Sequence, residues 1–487
     1  MTKAIDRVRE WGLFIDGQWV PASSKKSFPV TDPATGETIA TCADGSAADT
    51  TAAIDAAHKA FQTWKHTTAY DRAAILRRVA DLLLERVEPL GRLLTREMGK
   101  PLAEAKGEIA YSASFFTWFA EEAKRVYGET IPSQFAHKRL VVIRQPVGVV
   151  AAITPWNFPS AMLARKVAPA LAAGCTVVAK PAKQTPLSSL ALGELMVEAG
   201  VPPGVVNLVT TNRSSSFGDI VLDDVRVSKI TFTGSTEVGK ALAERGARTV
   251  KRMSLELGGL APFIVFQDAD LEAAAAGTQA SKFRNMGQTC ICANRIYVHE
   301  SVVDAFAEVF AARVKAMKVG PGLEEGVTLG PLIDQAGFDK AYEHIEDAVK
   351  KGAKVRAGGK RLSGGEFDRG YFLEPTVLTA VTDEMLCAVE ETFGPVAPIF
   401  SFKDEAEVIA RANNTRFGLA GYVYTRDLSR AWRVAEALEY GIIGVNDPVP
   451  STAQAPFGGL KESGLMREGG WQGLDAFLET KFISIGV

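Results

Sequence analysis

Val147-Gly148-Val149-Val150-Ala151-Ala152-Ile153 runs straight into Thr154-Pro155-Trp156-Asn157-Phe158-Pro159. A short apolar, β-rich run closed by a proline-bounded turn reads as a buried strand. The same pattern recurs at 176–179, 205–209, 229–233 and 252–257, with helical stretches at 161–173, 187–199, 214–222 and 236–245 between them. Strands alternating with helices at this spacing imply a parallel sheet covered on both faces, with ligands at the carboxyl ends of its strands.

Outward from that block, 13–30 reads as a hairpin around Asp16-Gly17. The stretch 47–126 is alanine-rich and helical, with Ala73, Ile75, Leu76, Val79, Leu82 and Leu83 on one face, and reads as helices packed around the sheet rather than a partner-binding module. A second α/β series follows Leu257: strands at 263–266, 295–299, 371–378, 400–402, 421–424 and 441–446, with helices at 271–283 and 302–317. No repeat, low-complexity tract or long like-charge run appears.

Composition narrows the class. The 487 residues are 47% hydrophobic and 23% charged, with a formal net charge of -2, a soluble profile without a footprint for nucleic acid or an anionic membrane. Five cysteines without framework spacing point to free thiols in a reducing compartment. The N-terminus lacks a signal-peptide core, and the apolar run 167–179 is broken by Pro169 and Gly174, so the expected location is cytoplasmic. The five histidines keep no motif spacing to cysteine or carboxylate, and no metal site is expected.

Several segments carry chemistry. In Gly287-Gln288-Thr289-Cys290-Ile291-Cys292 a cysteine follows a tight turn rich in donors, which suits an exposed thiolate as well as a buried structural thiol. Asn157 is the one amide side chain of a rigid turn, suited to an oxyanion hole or to turn formation alone. Thr233-Gly234-Ser235-Thr236-Glu237-Val238-Gly239 joins strand to helix and would seat a phosphate, although it matches neither dinucleotide nor P-loop fingerprints. Lys180 and Lys183 end another strand, either beside anionic groups or solvated. Glu256 lies in an apolar strand end that would raise its pKa toward that of a general base, unless it points to water.

In this order, Pro-Trp-Asn-Phe-Pro, Lys-Pro-Ala, Phe-Thr-Gly-Ser-Thr, Glu-Leu-Gly-Gly, Gly-Gln-Thr-Cys, Glu-Glu-Thr-Phe-Gly-Pro and Pro-Phe-Gly-Gly resemble the aldehyde dehydrogenase superfamily over nearly the whole chain, and within it bacterial succinate-semialdehyde dehydrogenases. The resemblance implies an α/β aldehyde dehydrogenase fold: a Rossmann-like cofactor domain at 1–127 and 146–257, an α/β catalytic domain at 258–467, and a small β oligomerisation element at 128–145 and 468–487. It implies a homodimer or homotetramer and a small anionic aldehyde as substrate.

It also implies roles. Cys290 would attack the aldehyde, Asn157 and the Cys290 backbone N–H would hold the oxyanion, and Glu256 would activate the hydrolytic water. Trp156, Lys180, Gly234, Ser235, Glu391 and Phe393 would bind the cofactor. Lys183 stands where many NAD-using relatives carry glutamate, which implies NADP with NAD possible. Arg165, Arg284, Ser451 and Phe457 would bind the substrate, the arginines meeting an anion at its far end or else forming a structural salt bridge. Cys292 resembles a partner cysteine that pairs reversibly with the nucleophile. Leu260, the loop Asn446-Asp447-Pro448-Val449-Pro450 and Met466 depart from the succinate-semialdehyde pattern, so sulfolactaldehyde and glutarate semialdehyde remain alternative substrates. A cofactor-independent cysteine hydrolase is the alternative class.

Overall fold

Parallel strands buried on both faces need apolar runs joined by long crossovers, and the chain supplies two such sheets. The computed structural model describes residues 9–487; residues 1–8, part of the N-terminal stretch read for targeting, lie outside it.

The first sheet has eight strands in the order Gly464–Leu465, Arg252–Glu256, Val227–Thr233, Val149–Ile153, Thr176–Lys180, Val206–Leu208, Leu13–Ile15 and Gln18–Val20. The five central strands are parallel. Side-chain alternation splits each strand between two cores. Val150, Ala152, Val177 and Ala179 join helices Ala69–Glu85, Leu102–Glu122, Pro159–Ala173 and Leu187–Glu198. Val149, Ala151, Ile153 and Val178 face Ala47–Trp64, Ser214–Asp223 and Thr236–Gly246. The direction of winding reverses between Val149–Ile153 and Val227–Thr233, and at such a switch point the crevice beyond the strand ends is the natural ligand site. Trp156 and Gly234 sit on its two lips.

The second sheet has seven strands in the order Lys354–Ala357, Thr376–Thr379, Val396–Phe402, Ala293–His299, Ala261–Val265, Ala420–Tyr424 and Ile442–Val445. Helix Leu271–Phe283 leads from it toward the first sheet's crevice. A third, antiparallel sheet pairs Leu478–Gly486 with Lys138–Pro146 and that strand with Glu129–Ile131, leaving Phe482 and Ile485 exposed. Among the described residues no helix is long and apolar enough to cross a membrane.

Two boundaries differ from the sequence reading. Asp16 and Gly17, both left-handed, do turn a hairpin, but Ser27–Thr31 belongs elsewhere, pairing with Thr38–Ala43 in a separate three-stranded sheet. The break placed at 467 also moves. Gly464–Leu465 already pairs antiparallel with Leu255 and Glu256, and helix Gly470–Asp475 packs on Leu102–Glu122 and Pro159–Ala173, so only Leu478–Gly486 joins the arm. A two-residue strand has too short a pattern to declare its sheet.

Leu163 is wholly buried on the helix between sheet and outer helices. Leu163→Ala is expected to cost about 2–5 kcal/mol through the cavity it leaves, read as a lowered denaturation midpoint by circular dichroism.

Candidate active site

The turn after Ile153 and the loop before Ala293 meet across a cavity of about 250 Å³ between the two sheets. Pro159 opens helix Pro159–Ala173 at its first turn, where a missing N–H costs nothing. The turn before it presents Asn157, whose Nδ2 donates to the Gln288 carbonyl at 2.9 Å. The Asn157 carbonyl in turn accepts Lys100 Nζ at 2.8 Å and Asn285 Nδ2 at 3.0 Å. An amide carries two N–H bonds, and Asn157 lines the cavity.

The cysteine loop is built on left-handed backbone. Asn285 (φ 51°), Met286 (φ 60°) and Gly287 (φ 75°) follow one another, and for the two non-glycine residues this stores local strain. A Cβ on Gly287 would lie 2.2 Å from the Gly394 carbonyl oxygen, so the loop closes against the Glu391–Phe393 segment only because glycine stands there. Gln288 braces it, donating to the Asn285 carbonyl at 3.1 Å and accepting the Ile333 N–H at 2.9 Å. The result turns Cys290 into the cavity. Burial pushes its thiol up to about 12; Arg165 opposes this, and Glu391 and Glu256 reinforce it. Cys292 does not line the cavity. It is buried, donating to the Gly287 carbonyl at 3.3 Å, with Lys282 Nζ at 3.6 Å from its sulfur. Both cysteines are free thiols, and a disulfide between them would require Cys292 to leave these partners.

Behind the cavity lies a buried charge cluster. Glu468 sits between Arg165, 2.5 Å from its Nε, and Lys166, whose Nζ also donates to Thr233 Oγ1 at 2.7 Å. Burial alone would raise the Glu468 carboxyl, but Lys166 and Arg165 overrule it and hold it below the usual range. Glu256 is the contrary case: burial, then Glu468, drive it well above the usual carboxylate range, and its Oε2 has no hydrogen-bond partner among the described residues. Glu256 is not part of the cavity wall. A Cβ added to Gly458 would lie 2.9 Å from Glu256 Oε1, so the carboxyl stands behind that glycine.

Arg165 corrects a simple sequence expectation. It is not a guanidinium free for ligand alone, because the salt bridge considered as its alternative exists, to Glu468. It nevertheless lines the cavity, covers the Phe457 ring at 4.1 Å, and keeps a buried Nη2 without a partner among the described residues. Arg284 lies 4.9 Å from the Phe158 ring centroid on the same wall, and Ser451 Oγ is 2.6 Å from Tyr111 Oη. Tyr111 and Met162 complete this end and were not singled out from the sequence. Tyr111 belongs to a helical block whose periodicity signals packing, and nothing local marks one face of it as reaching a cavity.

At the other end, Trp156 and Phe393 meet edge to face with centroids 5.5 Å apart. Glu391 Oε1 accepts the Gly259 N–H at 3.2 Å, and burial pushes the carboxyl up to about 7, with that N–H opposing. A Cβ on Gly258 would come within 2.9 Å of Glu391 Oε2, so glycine there keeps the groove open. Gly234 and Ser235 precede helix Thr236–Gly246, and Ser235 Oγ accepts the Val238 N–H at 3.4 Å. Lys180 and Lys183 do not line the cavity; Lys180 ends the neighbouring strand and Lys183 lies just beyond it. Lys180 is buried with Nζ 3.1 Å from Ser214 Oγ, pushed down to about 8 by burial and then by Lys183, which is exposed. A helix N-terminus at the switch point, an open glycine groove, an aromatic pair and two lysines at the far end fit an extended, phosphate-bearing dinucleotide.

The model of the aldehyde dehydrogenase family matches residues 19–483. The chain belongs to that family. It is 57% identical to the glutarate-semialdehyde dehydrogenase of Pseudomonas putida over 97% of each chain. It is 55% identical to the NADP(+) succinate-semialdehyde dehydrogenase GabD of Escherichia coli, again over 97% of each. Among solved structures, an NADP-dependent enzyme of Escherichia coli superposes with a TM-score of 0.97 at 53% identity, covering 100% of this chain and 99% of the other.

In this family member the cavity joins a thiol, an amide donor and two guanidinium groups, with the buried carboxyl of Glu256 behind them. That set can add a sulfur to a carbonyl and stabilise the oxygen charge that results. Because burial pushes the free thiol up to about 12, alkylation of Cys290 by iodoacetamide is expected to accelerate roughly tenfold per unit between about pH 7 and about pH 10. Peptide mapping should find Cys292 unlabelled over the same period.

Proposed function

We propose that this aldehyde dehydrogenase oxidises a small aldehyde carrying an anion at its far end, succinate semialdehyde to succinate in the first instance, with NADP preferred over NAD. The observation that carries this reading is the partnerless Nη2 of Arg165 on the cavity wall, with Arg284 lining the same cavity as Cys290. A buried guanidinium with an unmet donor is costly unless an anion completes it.

In this reading the Cys290 thiol gives its proton to solvent water in the cavity, and its sulfur bonds to the aldehyde carbon. The carbonyl π electrons move onto oxygen, and the Asn157 amide and the Cys290 backbone N–H take up the charge. As the oxyanion re-forms the carbonyl, the carbon gives up its hydride and a thioester remains on Cys290. When bound, the nicotinamide dinucleotide supplies the acceptor for that hydride. Glu256 removes a proton from water, which adds to the thioester carbon and expels the Cys290 sulfur, leaving the carboxylic acid. A carboxyl held above its usual range by burial is matched to proton transfer near neutral pH. Gly234 and Ser235 would hold the pyrophosphate, Lys180 the adenosine ribose, Glu391 the nicotinamide ribose, Trp156 and Phe393 the nicotinamide end, and Lys183 a 2′-phosphate. Ser451 and Phe457 complete the substrate end. The exposed edge of Leu478–Gly486 joins subunits into a homodimer or homotetramer, which light scattering checks. The cofactor-free hydrolase reading is set aside: no histidine among the described residues lines the cavity to serve as base, and the family is one of dehydrogenases.

The test is reduced-cofactor formation with succinate semialdehyde, glutarate semialdehyde and sulfolactaldehyde, each with NADP and NAD. A kcat/KM advantage for succinate semialdehyde with NADP is expected; an advantage for an uncharged aldehyde of the same length would overturn the reading. Arg284→Phe is expected to raise KM for the semialdehyde by roughly 30-fold or more while oxidation of propanal changes little. Lys183→Glu should lower the NADP-to-NAD ratio of kcat/KM by roughly tenfold or more, as the same assay reads directly.

A further inference from the structure

Helix Leu102–Glu122 carries none of the motifs above, yet one stripe of it reaches three parts of the reacting centre. Glu104, Glu108 and Tyr111 are spaced i, i+4, i+7 and share a face. Glu104 Oε2 accepts the Asn285 backbone N–H at 2.8 Å and so grips the left-handed turn before Cys290. Glu108 Oε1 accepts the N–H groups of Ser160 at 2.9 Å and Ala161 at 3.2 Å, the orphan donors that open the helix after Asn157. Its Oε2 receives Lys100 Nζ at 2.6 Å, and the same ammonium donates to the Asn157 carbonyl and lies 3.8 Å from the Phe158 ring centroid. Tyr111 reaches Ser451.

The side chains of Lys100 and Glu108 are completely buried. A buried pair of this kind adds little net stability, because removing two charges from water offsets their attraction. What it supplies here is direction: every side-chain hydrogen bond described for the pair ends on the other member or on the backbone from Asn157 to Ala161.

We propose that Lys100 and Glu108 are positioning residues that act through Asn157, and Glu104 one that acts through Asn285, together fixing the distance between the Asn157 amide and the Cys290 sulfur. The proposal rests on Asn157 as oxyanion donor and Cys290 as nucleophile. The Asn157 side chain has one anchor, the Gln288 carbonyl, and its backbone carbonyl has two, Lys100 and Asn285. Removing Lys100 frees the turn to shift by a fraction of an ångström, and a misplacement of about 1 Å at a reacting centre loses on the order of 100-fold in rate.

The test uses the full-length enzyme with succinate semialdehyde and NADP. Lys100→Met combined with Glu108→Gln removes both charges together, so neither is left buried alone. Expected is a kcat loss of about 10- to 100-fold, with KM and the NADP dissociation constant changed by less than about threefold. In an Asn157→Ala background the same pair should cost less than about threefold, because the group it positions is gone. Lys100→Arg alone should restore most of the rate. Should the double variant not fold, Glu104→Gln repeats the comparison against Asn285→Ala. An undiminished loss in the Asn157→Ala background, or a loss confined to KM, would overturn the proposal and leave the function intact. If Asn157→Ala by itself keeps full kcat, the oxyanion assignment fails and the proposal falls with it.

Discussion

One hydrogen bond, from Asn157 Nδ2 to the Gln288 carbonyl, spans 131 residues of chain and ties the end of the first sheet to the cysteine loop of the second. Its net worth in stability is about 1 kcal/mol, yet the reacting centre exists only while it holds, because the donor comes from one sheet and the nucleophile from the other. The surrounding bonds serve it. Lys100 and Asn285 fix the Asn157 backbone, and Asn285 and Ile333 brace Gln288. The strained turn at Asn285 and Met286 is sustained by this bracing rather than by local propensity.

The second organising fact is how the buried charges divide. Arg165 and Lys166 flank one carboxylate, Glu468, which they keep ionised; Glu256, lacking such a pair, is driven toward its neutral form. Two carboxyls in one cluster are thus pushed in opposite directions, the arrangement by which acid and base roles are separated. The Arg165 guanidinium lines the cavity wall, and its charge opposes the burial that pushes the Cys290 thiol up.

Much of this was legible without coordinates. Strand and helix alternation from 147 to 257 read cleanly because parallel strands buried on both faces are continuous apolar runs, and helix Leu271–Phe283 matched the sequence reading residue for residue. Asn157, Cys290, Arg165, Arg284, Glu391, Phe393, Ser451 and Phe457, each named from the sequence, line one cavity. The Glu468 partnership, the Lys100–Glu108 pair and Tyr111 were not legible. Each depends on which helix face meets which loop, and periodicity reports that a face is buried, not what it is buried against.

The sequence by itself determined the two sheets, the family, and the kinds of groups available for chemistry, because apolar period, glycine and proline positions and short motifs are local properties of a chain. Only the tertiary structure decided the state and direction of those groups. Cys290 faces the cavity and Cys292 faces Lys282 although a single residue separates them; Glu256 is pushed up and Glu468 held down although both are buried carboxyls. The reason is physical: burial and Coulomb interactions depend on distances through space, and the chain folds residues 100, 157, 165, 256, 290 and 468 into one neighbourhood that no local pattern records.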